Sequence, residues 1–324
     1  MRVPARTGRI LTATCEPAED GRDRRPTRAG GSIGRVDEVN AAAAGTIEIA
    51  GRTAPRMGFG AMRLPGPNVW GPPADRDRAL AVCRRAVELG VRVIDTAWYY
   101  GDDVANEILA AALRPYPDDL LFVTKLGGRR TPDAGWASAL RPEELREGCE
   151  RDLRVLGLES VPVVHLRWME GHANAPFAEA LGTLLELRDE GKIQHIGLST
   201  VGIEEIRTAQ SLTDVASVSN AYSPLQRDDE AVVDHCTEHG IPYLPYFPLG
   251  VGAVADPGAV ADVAGELGVT PVQVALAWLL ARSPVVLPIP GTGDPAHLEE
   301  NVAAGGLTLP DEARARLDAA GRPA

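Results

Sequence analysis

Eight short apolar runs alternate with longer segments of helical spacing from residue 57 onwards, and this alternation constrains the fold more than any other feature of the sequence. The runs lie at residues 58–62, 91–95, 120–125, 161–165, 193–199, 215–220, 241–246 and 285–288. Segment 75–89 shows the helical spacing, with apolar residues at 79, 80, 83, 86 and 87 before Gly90. Apolar strands alternating with helices are typical of an α/β fold with a parallel sheet covered by helices. Eight such units over about 250 residues favour one (β/α)8 barrel (a TIM barrel) over a doubly wound sheet with a second domain.

The segments outside the eight units suggest how the rest of the chain is organised. Residues 46–49 and 53–57 flank Ala50-Gly51-Arg52, a pattern that predicts a β-hairpin able to close the bottom of the barrel. Residues 1–45 are rich in Arg, Gly, Pro and acidic side chains and lack an apolar period, which predicts a disordered tail. Residues 311–319 predict a last surface helix. We therefore expect a tail over 1–45 and a single barrel domain over 46–324.

Charge and cysteine usage narrow the class of partner. The formal net charge of −12 disfavours non-specific binding to nucleic acid or to an anionic membrane. The four cysteines, Cys15, Cys83, Cys149 and Cys236, lie far apart without a Cys-x-x-Cys pair, which favours buried thiols. The sequence contains no run of 18 apolar residues and no apolar core of a signal peptide. We expect a cytoplasmic protein that acts on a small molecule, with its oligomeric state left open.

Polar residues end six of the eight apolar runs. They are Asp95, Lys125, His165, Ser199, Asn220 and Tyr246. In a barrel the carboxyl ends of all strands meet at one mouth, where barrel enzymes have their active sites. One such residue is usually a hydrogen-bonding group at a loop edge, but six together predict an active site. Lys125 is also one of only two lysines among 33 Lys and Arg residues.

Asp95 and Lys125, on neighbouring strands, indicate proton transfer. A buried lysine held by a carboxylate remains charged and lowers the pKa of a nearby phenol. Tyr99 and Tyr100 follow Asp95 closely, so a tyrosine becomes the candidate general acid, with His165 as a neutral donor to a substrate oxygen. One Asp, one Lys and one His do not form a coordination set, so no metal is expected.

Nucleotide-binding motifs of other folds are not found. The sequence has no Gly-x-Gly-x-x-Gly after a strand, no P-loop and no Gly-x-Ser-x-Gly elbow. Barrels commonly bind phosphate with the loops after strands seven and eight and a helix N-terminus. Residues 289–295 occupy that position here, although their Gly and Pro content is equally typical of a plain turn.

Five segments together resemble the aldo-keto reductases in order over about residues 46–320. They are 94–101 (Ile-Asp-Thr-Ala-Trp-Tyr-Tyr-Gly), 123–125, 164–165, 191–199, and 289–292 with Glu300-Asn301. The resemblance implies a catalytic tetrad of Asp95, Tyr100, Lys125 and His165, with Tyr100 rather than Tyr99 as the proton donor. It implies that NADPH is bound by Ser199, Asn220, Tyr246, Leu249, Gly291, Thr292, His297, Glu300 and Asn301.

Residues 64–73, 128–130 and 245–250 resemble a bacterial branch of that family that includes pyridoxal reductases. The function implied is NADPH-dependent reduction of an aldehyde or ketone, with pyridoxal as the candidate substrate. Trp70, Trp136 and Trp168 belong to segments that should overhang the mouth, and they predict a pocket with aromatic walls for a flat ring.

The sequence departs from the family pattern at several cofactor positions. Thr200 stands where the family usually has Asn, Ser219 where it usually has Gln, and His297 where many members have Arg. NADH therefore stays open beside NADPH. Three alternatives to a pyridoxal reductase remain at this point: a broad-range carbonyl reductase, a nucleotide-binding regulatory subunit with the same fold, and a barrel without turnover.

Overall fold

The computed structural model describes residues 39–169, 171–247 and 258–320, and within these ranges helices surround a curled parallel sheet. The strands are β1 (Thr46–Ile49), β2 (Arg52–Pro55), β3 (Phe59–Gly60), β4 (Val93–Asp95), β5 (Leu121–Arg130), β6 (Trp136–Ala139), β7 (Val161–Arg167), β8 (Ile193–Ser199) and β9 (Val218–Ser219). The helices are α1 (Arg76–Glu88), α2 (Val104–Leu113), α3 (Pro142–Leu156), α4 (Phe177–Asp189), α5 (Ile203–Gln210), α6 (Glu230–Glu238), α7 (Ala259–Leu267), α8 (Pro271–Arg282), α9 (Pro295–Ala303) and α10 (Asp311–Ala320).

Backbone pairing closes the sheet into a barrel. Six strands pair in parallel in the order β3-β4-β5-β7-β8-β9. Single bridges and backbone hydrogen bonds then join Val218 to Tyr243 and Tyr243 to Val286, which brings in the segments after α6 and α8. The Gly58 amide donates to Pro288 O at 2.9 Å and the Gly60 amide to Pro290 O at 3.1 Å, so the last segment meets the first strand. The predicted (β/α)8 barrel is therefore confirmed.

The two faces of the barrel wall have different cores. The inward face forms one apolar cluster, made of Ile47, Ile49, Ala54, Val93, Leu121, Val123, Val163, Leu244, Leu287 and Ile289. The hairpin β1–β2 contributes Ile47 and Ile49 to it, as expected of a plug at the bottom. Residues between these positions, such as Ile94 and Phe122, pack outward into the larger cluster beneath the helices. Because side chains alternate along a strand, this pattern fixes which residues face the barrel interior.

The segment 127–141, between the third and fourth apolar runs, forms structure that the spacing of those runs did not predict. Instead of a loop, β5 runs five residues past Lys125 and pairs with β6 as an antiparallel ribbon, with Gly127 opposite Ala139 and Arg130 opposite Trp136. Gly127 and Gly128 lie within β5, whereas Pro132, Asp133 and Gly135 lie in the turn of this ribbon. The helix expected over 75–89 is confirmed as α1, with the Asp75 side chain capping its first turn.

The N-terminal boundary also differs. Ala41–Ala44 lie within the segment expected to be disordered, yet they form one 3-10 turn, and the Ala41 amide donates to Leu89 O at 2.8 Å. The rest of the predicted tail, residues 1–38, lies outside the described residues, as does Cys15. The other three cysteines are free and buried, as predicted.

None of the described helices is long and apolar enough to cross a membrane alone, although α7 and α8 pass the same length and composition test together as a sharply bent pair.

Candidate active site

The Asp95 carboxylate and the Lys125 ammonium form a buried ion pair at the barrel mouth. Both side chains are about 3% exposed, and Lys125 Nζ donates to Asp95 Oδ1 and, at 3.5 Å, to the carbonyl oxygen of Thr96. Asp95 follows Val93 by two residues on β4, and Lys125 follows Val123 by two residues on β5. Both side chains therefore point to the inward face, where the two valines lie. Burial raises the pKa of Asp95, and the Lys125 charge opposes that shift.

Tyr100 lies next to this ion pair. Lys125 Nζ is 5.2 Å from the centre of its ring, and the ring is 7% exposed. The net shift in the pKa of the phenol is nevertheless upward in this structure. Burial raises the pKa of Tyr100 well above its usual value, Asp95 raises it further, and Arg167 lowers it. Tyr100 is therefore a protonated phenol over the whole physiological range, able to donate a proton.

The neighbouring Tyr99 occupies a different environment. Its ring meets Tyr100 edge-on at 5.3 Å and Trp136 edge-on at 5.9 Å. Its hydroxyl is buried without a hydrogen-bond partner among the described residues, and burial raises its pKa. Lys125 Nζ lies near the face of the Tyr100 ring, and its charge also lowers the pKa of Tyr99.

His165 lies on β7, on the same inward face, and is fully buried. Its Nε2 is 2.7 Å from Ser217 Oγ, whereas Nδ1 has no partner among the described residues. Burial, and then the Lys125 charge, hold the pKa of His165 well below its usual value, so the ring is neutral at physiological pH. Gly197 leaves room for the ring, because a Cβ there would overlap the imidazole and lie 2.7 Å from Ser217 O.

Hydroxyl groups collect beside the tetrad at the ends of β8 and β9, where the nicotinamide was expected. Ser199 Oγ is 3.4 Å from Thr200 Oγ1, which is 3.4 Å from Tyr246 Oη. Ser219 Oγ is buried and has no partner within the described residues. Asn220 instead holds the adjacent loop, accepting from the Val201 amide at 3.1 Å and donating to Val201 O at 2.7 Å. One donor and one lone pair of the Asn220 amide remain for a ligand.

The predicted adenosine-phosphate residues cluster at the start of α9. Thr292 Oγ1 accepts from the Asp294 amide at 3.0 Å, and the Asp294 side chain caps the helix by accepting from the Ala296 amide at 2.8 Å. Gly291 is packed against Gly60, where a Cβ would come within 2.5 Å of the Gly60 oxygen. His297 is exposed, Glu300 is half-buried and Asn301 is buried. Leu249 lies outside the described residues.

Arg130 joins two of the three predicted pocket tryptophans. Its guanidinium carbon is 4.0 Å from the Trp136 ring centre and 5.4 Å from that of Trp70. Its Nη2 donates to Asn68 O at 3.0 Å and to Ala134 O, which ties the first loop to the ribbon. Trp70 and Trp136 remain 37% and 44% exposed. Trp168 instead packs edge-on against Phe177 at 5.4 Å, so its role in a pocket stays a prediction.

The sequence analysis gave no role to Ser217 or Arg167, which both lie on the inward face. Ser217 and Ser219 flank the outward Val218, and this alternation was a signal that both hydroxyls face the barrel interior. Arg167 follows His165 by two positions on β7, so it faces the same side of the strand, closer to the carboxyl end.

A second polar chain lies on the outward side of the same wall. Thr96 Oγ1 donates to Asn106 Oδ1 at 2.8 Å, and Asn106 Nδ2 donates to Asp152 Oδ1 at 2.7 Å. All three side chains are fully buried, between the end of β4 and helices α2 and α3. Burial raises the pKa of Asp152 to about 7, although the Asn106 hydrogen bond opposes the shift.

The fold and this cluster define a barrel enzyme with one acid–base site at the carboxyl ends of its strands. Residues 56–322 match the model of the aldo/keto reductase family. A protein of Escherichia coli (strain K12) named pyridoxine 4-dehydrogenase is 44% identical over 281 residues, which cover 86% of this chain and 98% of that protein. An uncharacterized oxidoreductase of Schizosaccharomyces pombe is 38% identical over 285 residues, 88% of this chain and 92% of that protein.

Solved structures agree with these relatives. A crystal structure of an aldo-keto reductase from Klebsiella pneumoniae in complex with NADPH is 26% identical, with a TM-score of 0.71 over 86% of this chain and 95% of that one. The chain belongs to the aldo/keto reductase family. The resemblance noted in the sequence is thereby confirmed, and the protein is an oxidoreductase of the carbonyl-reducing class.

Proposed function

We propose that this enzyme reduces pyridoxal to pyridoxine with NADPH, using Asp95, Tyr100, Lys125 and His165 as its catalytic residues. The observation that supports the chemistry is the inward cluster itself, in which a protonated phenol, a neutral imidazole and a buried ion pair converge at the barrel mouth. A reduced nicotinamide supplies the hydride when it is bound.

Each residue of the cluster has a separate task in this proposal. Tyr100 gives its phenolic proton to the carbonyl oxygen as that oxygen becomes an alcohol. Lys125, paired with Asp95, stabilises the negative charge that then remains on the phenol. His165, a neutral imidazole held by the Ser217 hydroxyl at Nε2, orients the substrate oxygen. Holding the reactants in one geometry can itself lower the barrier by several kcal/mol.

The residues present fit a nicotinamide. A carboxamide needs both donors and acceptors, and the hydroxyls of Ser199, Thr200 and Ser219 provide both at one place. Tyr246, partly exposed at the mouth, offers a ring on which the nicotinamide can stack. The choice of NADPH over NADH is supported by the relative crystallised with NADPH.

Two observations support pyridoxal as the substrate. One is the 44% identity to a protein named pyridoxine 4-dehydrogenase. The other is the pair Trp70 and Trp136, held by Arg130 at the rim with part of each ring exposed, which suits a flat heteroaromatic aldehyde.

The test is steady-state oxidation of NADPH at 340 nm with a panel of aldehydes. We expect a higher kcat/KM for pyridoxal than for simple aliphatic aldehydes or 4-nitrobenzaldehyde. Equal or better turnover of the generic aldehydes would reduce the proposal to a broad-range carbonyl reductase. Binding of NADPH without turnover of any aldehyde would instead indicate a regulatory subunit.

A further inference from the structure

Arg167 places a positive charge at the barrel mouth that no described residue neutralises. It is the last residue of β7, two positions after His165, and its side chain is partly buried. Its side chain makes no hydrogen bond or ion pair with the residues described, although its backbone pairs with β8. Asp95 and Lys125 compensate each other, so Arg167 leaves this part of the mouth with a net positive charge.

The position of the guanidinium is set by neighbouring glycines and by Tyr99. A Cβ on Gly128 would lie 3.4 Å from Arg167 Nη1 and 3.3 Å from Tyr99 Cε1, so the guanidinium, the tyrosine ring and β5 meet at one point. A Cβ on Gly127 would come within 2.5 Å of Arg167 O. These two glycines let Arg167 pass close over β5 towards the tyrosines.

The charge acts on the proton donor. Arg167 lowers the pKa of both Tyr99 and Tyr100, against the larger effect of burial. A cation that affects the Tyr100 phenol is close to the place where the substrate's carbonyl oxygen must lie for proton transfer.

We propose that Arg167 is a specificity-determining residue that selects aldehydes with an anionic oxygen on the ring carbon next to the one that bears the aldehyde. Arginine donates N–H groups to such an oxygen and keeps its charge at any physiological pH. This inference rests on the proposed function, because the 3-oxygen of pyridoxal is such a group. It lies beside the 4-aldehyde and ionises readily, since the ring nitrogen accepts a proton. With the carbonyl oxygen at Tyr100, the neighbouring oxygen faces Arg167.

The test uses a matched pair, 3-hydroxypyridine-4-carboxaldehyde and pyridine-4-carboxaldehyde, which differ only in that oxygen and cannot form the internal hemiacetal of pyridoxal. We expect wild type to prefer the hydroxylated aldehyde. Arg167→Gln should lower kcat/KM for it by about 10- to 100-fold, the usual effect of losing a hydrogen bond to a charged group. Turnover of pyridine-4-carboxaldehyde should change by less than about 3-fold, and Arg167→Lys should keep part of the preference.

Arg129→Gln is the control, because Arg129 is an exposed arginine on the neighbouring β5. It should leave both substrates unaffected. An equal loss on both substrates in Arg167→Gln would show a structural role and overturn the proposal, as would a wild type that does not distinguish the pair. The comparison of the two aldehydes uses the wild-type enzyme, so its result does not depend on whether a variant folds. A failure of the proposed function alone would look different. The kcat/KM for pyridoxal would be no higher than for aliphatic aldehydes, but wild type would still prefer the hydroxylated pyridine aldehyde and Arg167→Gln would still lose that preference.

Discussion

Asp95 and Asp152 are two buried carboxyl groups on opposite sides of one barrel wall, and their partners differ. The inward Asp95 accepts from the Lys125 ammonium, whereas the outward Asp152 accepts from the neutral amide of Asn106. Asp152 has a pKa of about 7, because nothing as strong as a contacting cation offsets its burial. The comparison teaches that the same wall satisfies two buried acids in two ways: the inward Asp95 with a cation, at the site proposed for proton transfer, and the outward Asp152 with a neutral donor.

Removing the inward cation should have the largest effect. Lys125→Met keeps the length of the side chain but leaves the Asp95 carboxylate buried and unpaired, a loss that typically costs about 3–5 kcal/mol. We expect a large fall in melting temperature and, because the cation next to Tyr100 is gone, a loss of at least ~100-fold in kcat. Circular dichroism melts and the NADPH assay measure both.

Lys192→Met is the matched control, since Lys192 is the other lysine of the chain and pairs with Glu150 and Glu190 on the surface. Exposed pairs of this kind contribute about 0–1 kcal/mol. If the two variants behave alike, the inward ion pair has no special role.

The next prediction separates the two tyrosines on the inward side. Tyr100→Phe removes the transferable proton without changing the ring, and should lower kcat by at least ~100-fold while NADPH binding, followed by fluorescence, stays nearly intact. Tyr99→Phe should cost far less, because the Tyr99 hydroxyl is buried without a partner. The assignment of Tyr100 fails if Tyr99→Phe is inactive and Tyr100→Phe is active.

The smallest effect on turnover is expected on the outward side, where the change is in stability and depends on pH. A pKa raised from 3.8 to about 7 means that Asp152 is more easily ionised in the unfolded chain than in the fold. Wild type should therefore lose stability as the pH rises from about 4 to about 7, whereas Asp152→Asn should not. The melting temperature of the variant relative to wild type should increase between pH 5 and pH 8.

Two further observations would sharpen this last prediction. The value of kcat should change little in Asp152→Asn, because Asp152 faces the helices and not the mouth. A difference in melting temperature that stays constant across the same pH range would show that Asp152 does not titrate there.

The sequence predicted the inward residues better than the outward ones, for a physical reason. Asp95, Lys125 and His165 interrupt apolar strands, and a polar residue in such a strand is conspicuous. Asp152 lies in α3 within Cys-Glu-Arg-Asp-Leu-Arg, where an acid is normally taken for part of a solvated face. Only the packing of α2 and α3 on the wall shows that it is buried.

The ribbon β5–β6 was missed for a different reason. Its strands carry Arg129, Arg130 and Ser138 around a Gly/Pro/Asp turn, so they lack the apolar run that predicts a barrel strand. The two strands satisfy their backbone hydrogen bonds by pairing with each other. Backbone pairing of this kind does not depend on apolar side chains, so the spacing of apolar residues does not predict it. Arg167 was missed as well, because its position beside Tyr99 depends on the glycines of β5.

The continuity of β5 has a consequence for how such an enzyme can change over evolution or by engineering. One strand holds Lys125 inside the barrel and then leaves it to present Arg130 at the rim, with its own partner strand from Trp136 to Ala139. The ribbon satisfies its own backbone hydrogen bonds, so we expect residues 129–139 to be exchangeable between relatives as a unit, with Gly127 and Gly128 kept beneath Arg167. We expect such an exchange to change the range of accepted substrates while Asp95 and Lys125 keep their places below the rim.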